Sequence, residues 1–221
     1  MARKVFLSVS MSLDGYIVPE TMDWLRVTAE QRAQEPALER CMKQWMELQG
    51  WVFPLRFFRE NLKFGEGGEE GRDNDLVRET FERTGVSVMG KRMFDLGEIS
   101  WPEEAPFHTP VFVVTHEKRD PWVRPGGTTF YFVNDGIESA LARAREAAGE
   151  RDVRVAGGAA TILQYLNAGL VDEFSLALSP VLFGAGTRLF EGIDASRVAL
   201  VPIRGETTQR VTHLTYGVRR R

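Results

Sequence analysis

The run Val153-Arg154-Val155 leads through Ala156 into two adjacent glycines, Gly157-Gly158, and then into a helix-forming stretch opening with Ala159-Ala160-Thr161. Paired glycines let a backbone approach a ligand closely, and the first turn of a helix offers unpaired amide hydrogens to an anion. A phosphate there gains about 0.3–1 kcal/mol from the helix dipole besides its hydrogen bonds. The same unit also suits a tight strand–helix contact with no ligand. Two further strand ends carry anion-suited groups: Gly90-Lys91-Arg92 after the apolar run 86–89, and Thr115-His116, with Lys118 and Arg119 behind, after 111–114. Open α/β sheets bind ligands at the carboxyl ends of their strands. Three such ends in one sheet point to a ligand with several phosphates.

Other patterns fail. Gly65-Glu66-Gly67-Gly68-Glu69-Glu70 nearly spells a dinucleotide fingerprint, but Glu70 stands where the last glycine belongs and would repel a pyrophosphate. Gly184-Ala185-Gly186 misses likewise at Leu189. His108, His116 and His213 are far apart and show no metal-ligand spacing, so no metal is expected. There is no G-x-S-x-G elbow, and the lone Cys41 reads as core.

The elements that must position these groups are readable from periodicity. A strand over 3–10 gives way to Ser12-Leu13-Asp14-Gly15-Tyr16-Ile17, with Asp-Gly as its turn signal. Leu38, Met42, Trp45 and Met46 share a helical face, and Pro54 breaks the aromatic run 51–58. The acidic run 65–71 reads as a flexible loop. From Asp73 onward a helix carrying Leu76, Val77, Thr80 and Phe81 is stopped by Gly85, and strands follow at 86–89, 111–114 and 128–133. Asn134 or Asp135 caps a helix whose Ile137, Ala140, Leu141, Ala144 and Ala148 keep the i, i+3, i+4 rhythm. After the strand 153–155 comes a helix over 159–168, and 198–201 with 211–218 form an antiparallel pair. Alternating strands and helices predict a mostly parallel sheet covered on both faces.

With 221 residues, 43% of them hydrophobic, the chain can bury a full core without staples, and no apolar run is long enough for a membrane span. The leader-like start, Met1 to Met11, is interrupted by Asp14-Gly15 and reads as a strand. A net charge of −3 argues against nucleic-acid and anionic-membrane partners. A single cysteine fits a reducing, cytoplasmic setting.

Ser12-Leu13-Asp14-Gly15, 88–94 (Val-Met-Gly-Lys-Arg-Met-Phe), Val113-Val114-Thr115, Val155-Ala156-Gly157-Gly158, 170–174 (Leu-Val-Asp-Glu-Phe) and 179–184 (Ser-Pro-Val-Leu-Phe-Gly) occur in that order. The set resembles the dihydrofolate-reductase-like superfamily, in the branch related to the reductase domain of bacterial riboflavin biosynthesis, over about 1–18 and 73–218. The resemblance implies one α/β domain over 1–221, a three-layer α/β/α fold with a central mixed, mostly parallel sheet and an insertion at about 19–72. It implies NADPH lying across the strand ends, with Gly90, Lys91, Arg92, Thr115 and His116 around the adenosine ribose and its 2′-phosphate. Gly157, Gly158, Ala159, Ala160 and Thr161 would hold the pyrophosphate, with a cis peptide between the two glycines. The turn carrying Asp14, Gly15 and Ile17 would approach the nicotinamide, with Asp14 as the catalytic candidate that orders loop or substrate there. Relatives commonly dimerise, so a homodimer is expected.

The expected activity is NADPH-dependent hydride transfer to a small heterocyclic or sugar-linked substrate. The alternatives are reduction of 5-amino-6-(5-phosphoribosylamino)uracil, or nucleotide binding without turnover. Two residues depart from the riboflavin branch: Ser8 stands where it carries lysine, and Ala156 where it usually carries glutamate. Asp23 is a candidate for the acidic residue that dihydrofolate reductases use. The aromatic stretch 45–58 either walls the nicotinamide end or packs as core, with the glycine-rich acidic run as a hinge.

Overall fold

The computed structural model describes residues 3–221; Met1 and Ala2, which begin the leader-like start, lie outside the described residues. In chain order the elements are β1 (Val5–Ser12), β2 (Tyr16–Val18), α1 (Ala29–Ala33), α2 (Pro36–Gln49), α3 (Arg56–Asn61), α4 (Arg72–Arg83), β3 (Thr84–Gly90), α5 (Lys91–Ser100), β4 (Pro110–Val114), β5 (Trp122–Val123), β6 (Thr129–Val133), α6 (Ile137–Ala147), β7 (Asp152–Gly157), α7 (Ala159–Asn167), β8 (Glu173–Ser179), β9 (Thr187–Arg188), β10 (Val198–Thr207) and β11 (Thr212–Arg220). Nine strands form one sheet in the order β10-β11-β8-β1-β7-β3-β4-β6-β5. The strands from β8 to β6 are mutually parallel, and β10, β11 and β5 close the two edges antiparallel.

Side chains alternate across the pleat, so each central strand feeds two layers. Val5 and Leu7 of β1, Val86 and Val88 of β3, and Val153 and Val155 of β7 meet Ala140, Leu141 and Ala144 of α6 and Ile162, Tyr165 and Leu166 of α7. The intervening positions face α2 to α5. There, Met89 and Ala156 join Phe94 of α5, which is ringed by Trp101, Trp122, Phe130 and Phe132. The fold is three-layered α/β with a mixed, mostly parallel sheet.

An ionic staple fastens the amino ends of the central strands. The Arg83 guanidinium lies 4.0 Å over the Phe6 ring and pairs at 2.7 Å with both Glu173 and Asp152, while Lys4 also reaches Glu173 at 2.7 Å. Burial pushes the Glu173 carboxyl up, but the hydrogen bonds from Arg83 and Lys4 outweigh this and leave it lowered.

Three sequence expectations need correction. Gly85 does not stop a helix: it lies inside β3, where a Cβ would come within 2.6 Å of the Ala148 carbonyl oxygen. The cap of α6 is neither Asn134 nor Asp135 but Gly136, with no side-chain hydrogen bond. The cations do follow the end of β3 as expected, and they also open a helix, α5, that the sequence reading does not foresee. The acidic run is no free hinge, because Arg56 pairs with Glu70, Arg210 pairs with Glu69, and Glu69 bridges to Leu55.

Candidate functional site

A cavity of about 870 Å³ opens at the carboxyl ends of the central strands. Its first wall is built by backbone. Helices α5, α6 and α7 start there, their N-caps are Gly90, Gly136 and Gly158, and none has a side-chain acceptor on its first-turn amides. The opening amides of a helix have no partner within it and carry the positive end of its dipole. Three such ends facing one cavity leave donors that an anion can satisfy.

Each glycine has its own reason. At Gly90 a Cβ would run into the Thr161 hydroxyl, so the crossing of α5 and α7 demands glycine. Gly157 has φ +142° and its peptide to Gly158 is cis. Gly158 has ordinary dihedrals, φ −72° and ψ −173°, and a Cβ there would meet no protein atom within 4 Å. Nothing in the protein requires glycine at 158, and the space beside it belongs to the cavity.

The side chains around this wall are unequal. Lys91 is held by Asp95 at 2.7 Å and Glu117 at 3.3 Å, and these hydrogen bonds, Asp95 first, raise its pKa. Arg92 and His116 are exposed, line the cavity and have no ion-pair partner among the described residues. Thr115 is buried and spends its hydroxyl accepting from the Glu117 amide at 3.0 Å.

The opposite wall comes from the first loop and the insertion: Ile17, Val18, Met22, Leu25 and Trp45, with Leu96 from α5. Gln49 at the end of α2 is fixed by a relay: Trp51 Nε1 donates to Ser10 Oγ at 3.0 Å, and Ser10 donates to Gln49 Oε1 at 3.0 Å. The Gln49 NH₂ group has no partner among the described residues. The floor is Ser8, Ser10 and Arg154, which also line a second cavity of about 220 Å³ beneath.

Ile17, Gly90, Lys91, Arg92, Thr115, His116, Gly157, Gly158, Ala159, Ala160 and Thr161 therefore line one cavity. Asp14 and Gly15 do not. The Asp14 carboxylate accepts from the Ser12 hydroxyl at 2.6 Å, the Phe183 amide at 3.1 Å and the Gly184 amide at 2.7 Å. Burial pushes the carboxyl up, and these hydrogen bonds more than offset it, leaving the pKa lowered. Asp14 is expected from the sequence to order the loop or the substrate; its contacts tie the loop before Ile17 to 183–184, and it is not among the residues lining the cavity. Gly15 makes the turn at φ +90°. Asp23 is exposed, bonded to Thr21 and absent from the cavity wall. Sequence reasoning missed Gln49, Gly136 and Arg154. Gly136 was findable as the glycine immediately preceding a periodic helix.

Comparison with known proteins fits this geometry. The sequence profile of the RibD C-terminal domain matches residues 3–214. Over 59 residues the chain is 41% identical to the uncharacterized protein YyaP of Bacillus subtilis (strain 168), covering 27% of this chain and only 31% of that relative. It is 24% identical to YwjB of the same organism over 86% of this chain and 84% of YwjB. Among solved structures, a protein of Shewanella sp. PV-4 assigned to riboflavin biosynthesis superposes with a TM-score of 0.62 at 21% identity, covering 98% of this chain and 99% of that one. Dihydrofolate reductase from Enterococcus faecalis, complexed with NADP(H), gives 0.51 at 15% identity over 98% and 96%. The Thermotoga maritima diaminohydroxyphosphoribosylaminopyrimidine deaminase/5-amino-6-(5-phosphoribosylamino)uracil reductase gives 0.58 at 14% identity, with 97% of this chain matching 56% of that one. At these identities the superpositions show a shared fold.

Proposed function

The chain belongs to the RibD C-terminal domain family, and from that premise we propose that it is an NADPH-dependent reductase acting on a small heterocyclic or sugar-linked substrate. The observation that carries the reading is the trio of glycine-capped helix starts around one cavity, with the open space at Gly158 between them. The residues present fit a dinucleotide. The amides of Ala159, Ala160 and Thr161 suit the pyrophosphate, and Arg92 and His116, beside Lys91, suit a 2′-phosphate. When bound, NADPH supplies a hydride from its nicotinamide.

The chain's own part is to bind, orient and dry the site. Ile17, Val18, Met22, Leu25 and Trp45 exclude water from the end opposite the cations, and the Gln49 NH₂ offers a fixed donor to a heterocycle. Among the described residues the one carboxylate lining the cavity is Glu117, which is paired with Lys91. This favours substrates that take their proton from solvent. Ser8 and Ala156, standing where the riboflavin branch has lysine and glutamate, favour a substrate other than the riboflavin-pathway pyrimidine.

A homodimer belongs to the same proposal. β10 is an edge strand that exposes Leu200 and Ile203, and edges of this kind are usually paired or covered. Light scattering is expected to give twice the 25.0 kDa chain mass. No helix among the described residues is long and apolar enough to cross a membrane. The lone free thiol, Cys41, supports a reducing cytoplasmic setting.

Calorimetric titration tests the cofactor. NADPH is expected to bind about tenfold or more tighter than NADH, the scale of one charge-assisted phosphate contact. Arg92→Ala is expected to remove most of that difference while NADH affinity holds. Equal affinities in the parent protein would overturn the assignment of the cationic end.

A further inference from the structure

Arg154 is a half-buried arginine in the interior of the sheet with nothing to hold among the described residues. It lies on β7 with Phe6 of β1 and Ser87 of β3 as register partners, on the face that carries Ala156, one pleat from the glycine pair. It makes no hydrogen bond or ion pair among the described residues, and its Nε is shut off from solvent without a partner. Its single recorded interaction is with the Phe81 ring, 5.4 Å away.

The charged groups packed around it are already committed. Glu173 is taken by Arg83 and Lys4, and Glu79 by Arg72 and Arg204. Among the described residues no carboxylate pairs with Arg154. Burial lowers its pKa to about 10, which leaves it a cation at neutral pH. The side chain is half-buried with its Nε fully enclosed, and an unpaired, partly desolvated charge facing a cavity is a candidate counter-charge for a ligand. Arg154, Ser8 and Ser10 line both cavities, and Gln49 and Trp45 line the larger one.

We propose that Arg154, with Ser8, is a specificity site that takes an oxyanion carried by the substrate, a carboxylate or a phosphate, at the floor of the cavity. This rests on the reductase reading above and names its substrate class: a small anionic molecule whose charged end points down into the sheet while its reducible ring lies between Trp45, Gln49 and Gly157. The planar fork of arginine suits two oxygens of one group.

The test uses the whole protein and three ring-bearing probes: benzoate, phenyl phosphate and the neutral benzamide. Quenching of tryptophan fluorescence reports binding, since Trp45 lines the cavity and Trp51 bonds to Ser10. At least one anion is expected to quench at concentrations where benzamide does not, and which one does so separates carboxylate from phosphate. Arg154→Met is expected to weaken that binding about tenfold or more, the scale of a lost charge-assisted hydrogen bond, and Arg154→Lys by less. NADPH titrated into the same samples reports the nucleotide reading separately and is expected to change less than about twofold. The melting temperature of Arg154→Met is expected to hold or rise. Anion binding that survives Arg154→Met, benzamide binding as tightly as the anions, no anion binding at all, or a fall in melting temperature marking Arg154 as a structural group would each overturn the proposal.

Discussion

Two arginines stand on the same face of the same sheet, each near a phenylalanine, and they live in opposite conditions. Arg83, at the amino end, has two carboxylates at 2.7 Å and the Phe6 ring at 4.0 Å. Arg154, nearer the carboxyl end, has no carboxylate and the Phe81 ring at 5.4 Å. The amino end is electrostatically closed; the carboxyl end is left open by an unpaired guanidinium, three uncapped helix starts and an unbonded Gln49 amide. Satisfied groups hold strands together, whereas unsatisfied ones are kept for a visitor. On the proposed function, stability resides at one end of the sheet and recognition at the other.

The strongest way to break that division is at Arg83. Arg83→Met strips Asp152 of its ion-pair partner, leaving it the Lys4 amide, and leaves buried Glu173 with Lys4 alone, so urea unfolding is expected to show a loss of about 3 kcal/mol. The sign with pH follows from the lowered carboxyl. Glu173 contributes stability above its unfolded pKa of about 4.3, and that contribution is lost as pH falls through its lower folded value. The parent protein should therefore weaken progressively below about pH 4.3, and Arg83→Met should flatten that slope. Equal stabilities of Arg83→Met and the parent at pH 7 would erase the contrast between the two ends.

Gly158→Ala probes the open end. The dihedrals tolerate alanine and no protein atom obstructs its Cβ, so the fold is expected to be unperturbed. NADPH affinity is expected to fall about tenfold, or ~1.4 kcal/mol, because the methyl takes up cavity space against the pyrophosphate. Normal affinity in a calorimetric titration would remove Gly158 from the cofactor site.

Asp14→Asn sharpens the boundary between the two kinds of region, since Asp14 is a satisfied group close to an unsatisfied wall. Losing the charge-assisted bonds to Phe183 and Gly184 is expected to cost about 1 kcal/mol in stability. NADPH affinity is expected to stay within about twofold, because the carboxylate does not line the cavity. A large drop in affinity at unchanged stability would restore Asp14 to the site itself.

Much of the glycine-capped cavity wall is legible in the sequence because it is made of local grammar. A strand, a glycine and a helix in succession dictate where amides point, and Gly90 and Gly157-Gly158 carry that message unaided. Gly136 escapes notice because Asn134 and Asp135 look like better caps. Helix α5 is hidden by the way Lys91-Arg92 reads as a charged strand end. Arg154 is legible only as one polar position in a strand. Its meaning depends on Glu173 and Glu79 being occupied by Arg83, Lys4, Arg72 and Arg204, which come from distant parts of the chain. The insertion resists for the same reason: Trp51 matters through Ser10, 41 positions earlier, and no periodicity encodes that bond.

The strand order also sets a timetable. β1 is made first yet lies at the centre of the sheet, and its two neighbours, β7 and β8, are residues 152–157 and 173–179. Until those segments leave the ribosome, an apolar strand waits without hydrogen-bond partners on either side. Such long-range pairing slows folding and exposes the waiting strand to the wrong neighbours. The cavity is assembled by the same late event, since Gly157-Gly158 arrives with β7 while Ile17 and Gln49 were synthesised long before. The nascent chain thus completes the cavity in the same step in which it acquires its centre.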